Sequence, residues 1–162
     1  MKLSKLFETQ KLLDIRIVDE HKLHGQDLLP YKILALQVEL GELANELPEV
    51  FKFWSNKKNN YEKALVEYCD CLHFILSIGN DLELNIKLYI ILPFEHKTIL
   101  DQFSRTYYVI SDLEHDPSQE ELIAVLQYFL GLGEMLGFTP EQIEQSYYQK
   151  NAINHTRQDN LY

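Results

Sequence analysis

The sequence is poor in cysteine, proline and glycine, and it has no long apolar run. Its 162 residues include two Cys, five Pro and six Gly. No window of about 18 residues is free of charge, so we expect no membrane-spanning helix. The N-terminus lacks the apolar stretch of a secretory signal. Cys69 and Cys71 would point about 200° apart on a helix and could not pair with each other. These absences favour a reduced, cytoplasmic protein.

The charge of the chain is strongly one-sided. Fifteen Lys and Arg face twenty-five Asp and Glu, for a net charge of −10. Such a field argues against sequence-independent binding of nucleic acid. The hydrophobic share of 46% excludes intrinsic disorder and is typical of a globular domain. Clustered carboxylates would also need counter-charge, which favours bound divalent cations.

Helical periodicity runs through the chain, and no alternating strand pattern competes with it. No repeat, low-complexity tract or linker divides the sequence. We therefore predict one all-α domain over residues 1–162, a bundle of about six helices. The pattern places helical segments over about 3–24, 28–54, 60–78, 83–91, 95–110, 117–136 and from 140 onward.

Caps and breakers mark several helix ends. A Ser, Thr, Asp or Asn cap followed by Pro and then Gln is a strong start signal, and Gly is a common stop. Proline inside a helix breaks or kinks it. The predicted caps are Asp27, Asn60 (or Asn59), Asp116 and Thr139; the predicted interruption is Pro48, and the predicted stops are Gly79 and Gly137.

Two helices carry pairs of acids at helical spacing. Glu39 and Glu42, followed by Glu46, share one face of the second helix. Glu67 and Asp70 lie on the third, which is so apolar that we expect it to be central and buried. Burying these acids would cost free energy unless another group offsets their charge. Antiparallel packing of the two helices would make a four-carboxylate cage suited to Mg²⁺ or Mn²⁺. The alternatives are solvated acids, or pairing with Lys or Arg from elsewhere.

The C-terminal helix has the opposite character. Lys150, Asn154 and Arg157 fall at i, i+4 and i+7, which makes a cationic and amide face able to bind phosphate oxygens. The alternative is that these cations only complement the end of a helix.

Two other clusters favour core packing over chemistry. Cys69 and His73 share a helix face but Cys71 does not, so core thiols and a hydrogen-bonded histidine are a better interpretation than zinc. The aromatic cluster that ends in Phe53 and Trp54 could stack on a base, but such clusters are more often core.

Five stretches together resemble the dimeric dUTPases, a family of the all-α NTP pyrophosphatase superfamily that also contains MazG-type enzymes. They are residues 10–17, 35–46 (ALQVELGELANE), 51–55 (FKFWS), 67–77 (EYCDCLHFILS) and 147–158 (YYQKNAINHTRQ). The acidic pairs are shared by the superfamily, whereas FKFWS and the C-terminal motif point to dUTPase. Residues 80–135 carry no motif that we can assign. The family's closing Gly-Tyr is replaced by Leu161-Tyr162, and Pro48 follows the first acidic motif directly.

The resemblance implies a Mg²⁺-dependent dUTP diphosphatase, with Mn²⁺ as a substitute. A metal-bound water attacks the α-phosphorus and releases pyrophosphate from dUMP, helped by Glu39 or Glu42 as the catalytic carboxylate. The remaining roles are carried over position by position. The metal ligands would be Glu39, Glu42, Glu67 and Asp70; the phosphate-binding residues Lys150 and Arg157; and the nucleotide-binding residues Gln10, Trp54, Phe74 and Asn151 or Asn154.

The resemblance also implies a homodimer that binds dUTP and dUMP, from a bacterial or phage source. Two alternatives remain open: a pyrophosphatase for another nucleotide, such as dCTP or a modified NTP, and a regulatory protein on the same scaffold. Some phage enzymes of the family bind a repressor protein, which leaves such a partner open. A di-iron bundle would need two Glu-x-x-His motifs, and the sequence has none. We expect neither nucleic acid nor a membrane as partner.

Overall fold

A computed structural model describes residues 1–160, and all regular structure in that range is helical. The all-α prediction is therefore confirmed. The expectation for Leu161 lies outside the described residues. The helices are α1 (Leu3–Glu20), α2 (Leu29–Asn45), α3 (Pro48–Phe51), α4 (Tyr61–Asp81), α5 (Ile99–His115), α6 (Gln119–Met135) and α7 (Pro140–Asp159), with a short 3₁₀ turn at Ile86–Leu88.

Helix α4 is the centre of the bundle, as its apolar composition predicts. It packs against α1, α2, α6 and α7, and most of its residues between Ala64 and Gly79 are buried. Helix α2 runs antiparallel to it. Lys32 near the start of α2 pairs with Asp81 at the end of α4, at 2.6 Å. At the other end, the N–H of Asn60 donates to the carbonyl of Glu46, at 2.8 Å.

The segment without assigned motifs supports the outer side of this helix pair. Helices α5 and α6 pack against each other, and α6 also contacts α4 while α5 contacts α2. The ring of Tyr68 stacks on Phe129 with centroids 4.2 Å apart. Its hydroxyl donates to the Phe129 carbonyl, at 3.2 Å. Gly133 allows this approach, because a Cβ there would lie 2.5 Å from the Tyr68 hydroxyl.

Helices α1 and α7 lie side by side and run in the same direction. Early in α1, the Leu6 carbonyl accepts from the hydroxyl of Tyr147, at 3.4 Å. Late in α1, Arg16 donates to the carbonyl of His155 at 3.0 Å and pairs with Asp159 at 2.5 Å. The two terminal helices therefore form one wall of the bundle.

Two of the four predicted caps, Asn60 and Thr139, are confirmed. The Asn60 side chain accepts from the N–H of Lys63. Asp27 is not the cap of α2: Leu28 occupies that position, although the Asp27 carboxylate accepts from the N–H of Leu29. Thr139 and Gln142 form a complete capping box. Pro48 ends the second helix and begins the short α3 at its first position. Gly137 ends α6 with a φ of +77°, as predicted.

The predicted helix over 83–91 is wrong. Only Ile86–Leu88 forms a 3₁₀ turn, and the chain then has no regular secondary structure up to residue 96. The side chain of Gln102 fixes the end of this irregular stretch, because it donates to the Phe94 carbonyl and accepts from the His96 N–H, both at 2.7 Å. Several Ile residues and Tyr89 disfavour helix intrinsically, and Pro93 excludes its continuation.

Four other boundaries differ from the prediction. The helix expected over 95–110 begins at Ile99, where the Thr98 hydroxyl caps it, and extends to His115. Ser118 and not Asp116 caps α6, since the Ser118 hydroxyl accepts from the N–H of Glu121. Helix α1 ends at Glu20, before the predicted residue 24.

Gly79 does not end α4, which continues to Asp81. Its role is close packing: a Cβ at this position would lie 2.4 Å from Cε1 of Phe7. Phe7 is itself buried, so its ring has little room to move. Glycine therefore serves the contact between α1 and α4.

Among residues 1–160, no single helix is long and apolar enough to cross a membrane. Helices α6 and α7 meet such a criterion only when taken together, as a pair bent by 110°.

The Gly79→Ala variant tests this packing role. Overpacking against Phe7 should cost about 1–3 kcal/mol, which exceeds the roughly 1 kcal/mol that alanine gains over glycine in a helix. We expect a lower free energy of unfolding in urea. Gly41→Ala is the control, because its nearest neighbour is the Tyr107 hydroxyl at 3.2 Å, the tip of a partly buried side chain. Equal stabilities of the two variants would contradict the assignment.

Candidate functional site

A pocket of about 440 Å³ opens between α1, α2, α4 and α7. One end is lined by acidic and cationic side chains, and the other by amide, imidazole and apolar groups. Among the described residues, none between 78 and 149 lines it. Helices α5 and α6 therefore support this pocket without contributing to its surface.

Three carboxylates meet at the charged end. Oxygens of Glu39, Glu67 and Asp70 lie within 4.8 Å of one another. The antiparallel pairing of α2 and α4 brings Glu39 opposite the other two. Glu42, the fourth acid of the predicted cage, is exposed and outside this triple. Its charge still reaches the cluster, because it raises the pKa of Glu39, Glu67 and Asp70.

The triple is electrostatically unfavourable by itself. Burial first, and then repulsion from Asp70, Glu42 and Glu67, raises the pKa of Glu39 to about 7. Burial and the neighbouring acids also raise the pKa of Glu67. Burial raises the pKa of Asp70 as well, against the opposing effect of Lys150. A cation at this position would relieve the repulsion.

The cationic residues of α7 face the same end. The ammonium of Lys150 donates to Oδ2 of Asp70, at 2.5 Å. Arg157 lines the pocket, donates to Oδ1 of Asn154 at 3.4 Å, and lowers the pKa of Asp70 by its charge. Asp70 is thus both a member of the acidic cluster and one half of an ion pair, so the alternative of pairing with a cation also holds for this residue.

The opposite end contains a hydrogen-bonded network between α1, α4 and α7. Oε1 of Gln10 lies 2.7 Å from Nδ1 of His73 and accepts from the Tyr147 hydroxyl, at 3.0 Å. Nε2 of Gln10 donates to Asp14, at 2.8 Å. Phe74 supplies an apolar wall. The pocket therefore joins a charged end to a neutral, polar and aromatic end.

The structure separates the two predicted asparagines. Asn154 lines the pocket, whereas Asn151 does not and is buried, with Nδ2 lacking a partner within the described chain. Trp54 also lies outside the pocket wall. It is 68% exposed and packs edge to face on Phe53, so this pair is not part of the core as its pattern suggested.

Several pocket residues were not identified from the sequence as part of the site. Asp14, Lys32 and Ser77 line it, and so does His73, which was assigned to the core. A signal was present, because the α4 residues Asp70, His73 and Ser77 are spaced at i, i+3 and i+7 on one helix face. The cysteines are buried free thiols, as expected, and burial raises the pKa of Cys69 to about 12.

The acidic cluster fits a hard divalent cation by its donor set. All its ligand atoms are carboxylate oxygens, which Mg²⁺ and Mn²⁺ prefer. Burial and mutual repulsion raise the pKa of Glu39 and Glu67, and a cation would offset that repulsion.

The fold is thus an all-α bundle with a pocket that carries clustered acids beside cations at one end. The chain belongs to the family described as dUTPase, whose profile matches residues 2–162. It is therefore an enzyme, a dUTP diphosphatase, with dUTP as substrate and dUMP as product. A search of curated proteins finds no match to the chain.

The buried imidazole of His73 generates a pH prediction. Burial lowers its pKa from 6.5 to about 3. Below pH 6.5 the unfolded chain therefore binds a proton that the folded chain does not, and this residue's contribution to stability falls as the pH falls. The His73→Gln variant has no imidazole at this position, so it does not lose stability in this way as the pH falls. We expect the stability deficit of the variant to shrink by about 2 kcal/mol between pH 7 and pH 5, as measured by urea unfolding.

His115→Gln is the matched control, because His115 is exposed at the end of α5. Its difference from the natural chain should stay nearly constant over this pH range. A His73→Gln deficit that does not change with pH would contradict the prediction.

Proposed function

We propose that the pocket between α1, α2, α4 and α7 is the active site of a Mg²⁺-dependent dUTP diphosphatase. The observation that carries the proposal is the cluster of Glu39, Glu67 and Asp70. Two of its members, Glu39 and Asp70, line the same pocket as Lys150 and Arg157. Acids can hold the cation while basic side chains bind phosphate. The neutral end is left for the nucleoside.

The metal would be held by Glu39, Glu67 and Asp70, with Glu42 at the edge of the site. When bound, Mg²⁺ (or Mn²⁺) offsets phosphate charge and increases the acidity of water. Lys150 can leave Asp70 for a phosphate oxygen, since an ammonium on a flexible stem is a mobile point charge. Arg157 can bind two phosphate oxygens through its planar fork.

The chemical step transfers one proton and cleaves one P–O bond. A water oxygen attacks the α-phosphorus, and its proton passes to a glutamate. The bond between the α-phosphorus and the bridging oxygen breaks, so pyrophosphate leaves dUMP. Glu39 and Glu42 are the candidates to accept this proton, as the sequence predicts.

The nucleoside would lie at the neutral end, against Gln10, Phe74 and Asn154. A close aromatic wall would exclude the 5-methyl group of thymine. Cytosine would leave a buried polar group without a partner, which is costly. Trp54 and Asn151 remain predictions for nucleotide contact, since neither lines the pocket.

We also propose that the chain is a single domain, that it acts as a homodimer, and that it works in the cytoplasm. The central position of α4 among α1, α2, α6 and α7 supports one domain. Exposed apolar side chains on one face of α2 support self-association: Tyr31, Leu34 and Val38 are 72%, 60% and 51% exposed. The free thiols are consistent with a reducing compartment.

The first experiment measures pyrophosphate release from dUTP, dCTP, dTTP, UTP and dATP, with Mg²⁺ and then with EDTA. We expect metal-dependent cleavage of dUTP alone. Glu67→Gln should lower kcat by at least about 100-fold, because it removes a charged oxygen from the metal site.

Glu62→Gln is the matched control, since Glu62 is an exposed acid in the first turn of the same helix. Its activity should equal that of the natural chain. Cleavage of another nucleotide would overturn the base assignment but keep the mechanism. Activity in EDTA, or in Glu67→Gln, would overturn the metal site.

The dimer proposal predicts a solution mass of twice 19.1 kDa, measured by sedimentation equilibrium. Leu34→Glu would place a buried charge in the proposed interface and should shift the mass to that of one chain. Lys57→Glu, at an exposed loop residue, introduces the same side chain elsewhere and should not. A monomer in the natural chain would refute the proposal.

A further inference from the structure

We propose that Asp14 is a positioning residue that fixes the hydrogen-bonding direction of the neutral end of the pocket, and so makes that end select uracil over cytosine. The selectivity part rests on the proposed function, in which the base lies at this end. The inference comes from a hydrogen-bond network around Gln10. Its amides, hydroxyls and imidazole can each donate or accept, whereas the Asp14 carboxylate can only accept.

Asp14 lies in α1 and faces α4. Its Oδ1 accepts from Nε2 of Gln10 at 2.8 Å and from the Ser77 hydroxyl at 2.9 Å. Its Oδ2 accepts from Nδ2 of Asn80, at 3.2 Å. An ionised carboxylate has only acceptors. The Gln10 amide must therefore present its nitrogen to Asp14 and its oxygen to the other side.

That orientation determines the next group in the network. Oε1 of Gln10 can only accept, so Nδ1 of His73 must donate to it. The single proton of the Tyr147 hydroxyl is shared between Oε1 of Gln10 and the Leu6 carbonyl, at 3.0 and 3.4 Å. With its proton on Nδ1, the His73 ring has an unprotonated Nε2. This nitrogen is buried and has no hydrogen-bond partner among the described residues. Amides, hydroxyls and imidazoles can all reverse their direction, so the carboxylate alone sets it.

The carboxylate is held at an energetic disadvantage. Burial raises the pKa of Asp14 more than its hydrogen bonds and the charge of Lys32 lower it. Lys32 itself pairs with Asp81, at 2.6 Å. Three donors, from Gln10, Ser77 and Asn80, face this carboxylate, and a group with acceptors only is what fixes the direction of the Gln10 amide.

The resulting pattern matches one pyrimidine. Gln10 lines the pocket and keeps a second N–H that can donate into it. Uracil carries a carbonyl acceptor at C4, which complements this donor. Cytosine has an amine at C4, so a donor would face a donor. A site built around buried hydrogen-bonding groups discriminates strongly against such a mismatch.

Asp14→Asn tests the proposal, because asparagine has nearly the same shape but can donate as well as accept. With it, the amide of Gln10 can turn over and the direction of the network is no longer fixed. Asn80→Ala is the control: it removes one donor to Asp14 and leaves the carboxylate in place. Asn80 does not line the pocket.

Two measurements are made on the full chain. Nitrogen-15 NMR of the His73 ring reports its tautomer, for which we expect the proton on Nδ1 in the natural chain and in Asn80→Ala, and a mixture in Asp14→Asn. The ratio of kcat/KM for dUTP to that for dCTP reports selectivity. We expect it to fall at least about tenfold in Asp14→Asn and to be preserved in Asn80→Ala. A general structural defect would lower kcat/KM for dUTP and for dCTP together and leave their ratio unchanged.

The outcomes separate the proposal from the proposed function. A natural chain with its His73 proton on Nε2 would overturn the proposal without any variant being needed. Asp14→Asn with an unchanged tautomer, or with an unchanged selectivity ratio, would also overturn it. Failure of the natural chain to cleave dUTP would overturn the proposed function, and the NMR comparison would then still decide whether Asp14 directs the network.

Discussion

Repulsion among Glu39, Glu67 and Asp70 is the constraint on which the rest of the structure depends. Three carboxylates with oxygens within 4.8 Å of one another oppose the packing of α2 on α4. That packing is nevertheless maintained, because leucines on the inner side of α2 are fully buried against the bundle. Their burial stabilises the interface by about 1.5–3 kcal/mol for each side chain. The apolar core thus holds together a charge arrangement that would otherwise separate.

The two ends of the pocket solve different physical problems. At the charged end, Lys150 offsets part of the acidic charge in the absence of a metal ion. At the neutral end, the pKa of His73 falls to about 3, so its ring is neutral at physiological pH, and hydrogen bonds from Gln10 and Ser77 enclose the Asp14 carboxylate. A triphosphate needs strong, adjustable charges, whereas a base needs fixed dipoles. One pocket provides both because Asp70 and His73 lie one turn apart on the face of α4 that lines it.

The sequence predicted those features that depend on local chemistry or on simple spacing. Thr139 with Gln142, and Asn60, are caps whose partners lie within one helical turn. The acids at i and i+3 on two helices predicted the cluster, since antiparallel packing was the only further assumption. Their roles as metal ligands remain predictions, as does the phosphate-binding role of Lys150 and Arg157.

Features that depend on contacts between distant elements were not predicted. The irregular chain after residue 88 is fixed by hydrogen bonds from the side chain of Gln102. No local propensity reveals this contact. Gly79 follows an apolar helix as a stop signal would, but its small size is required by Phe7 in another helix. The direction of the network from Asp14 through Gln10 to His73 likewise becomes visible only when α1 lies beside α4.

The pairing of α1 with α7 also has a consequence for biosynthesis. Gln10 and Asp14 are made well before Lys150 and Arg157, yet all four line one pocket. During synthesis, α1 therefore cannot make these contacts until α7, more than a hundred residues later in the chain, has been made. Such long-range contacts form late and slow the folding of a domain. The nascent chain consequently has no complete pocket until α7 has left the ribosome, so that assembly of the site marks the completion of the fold.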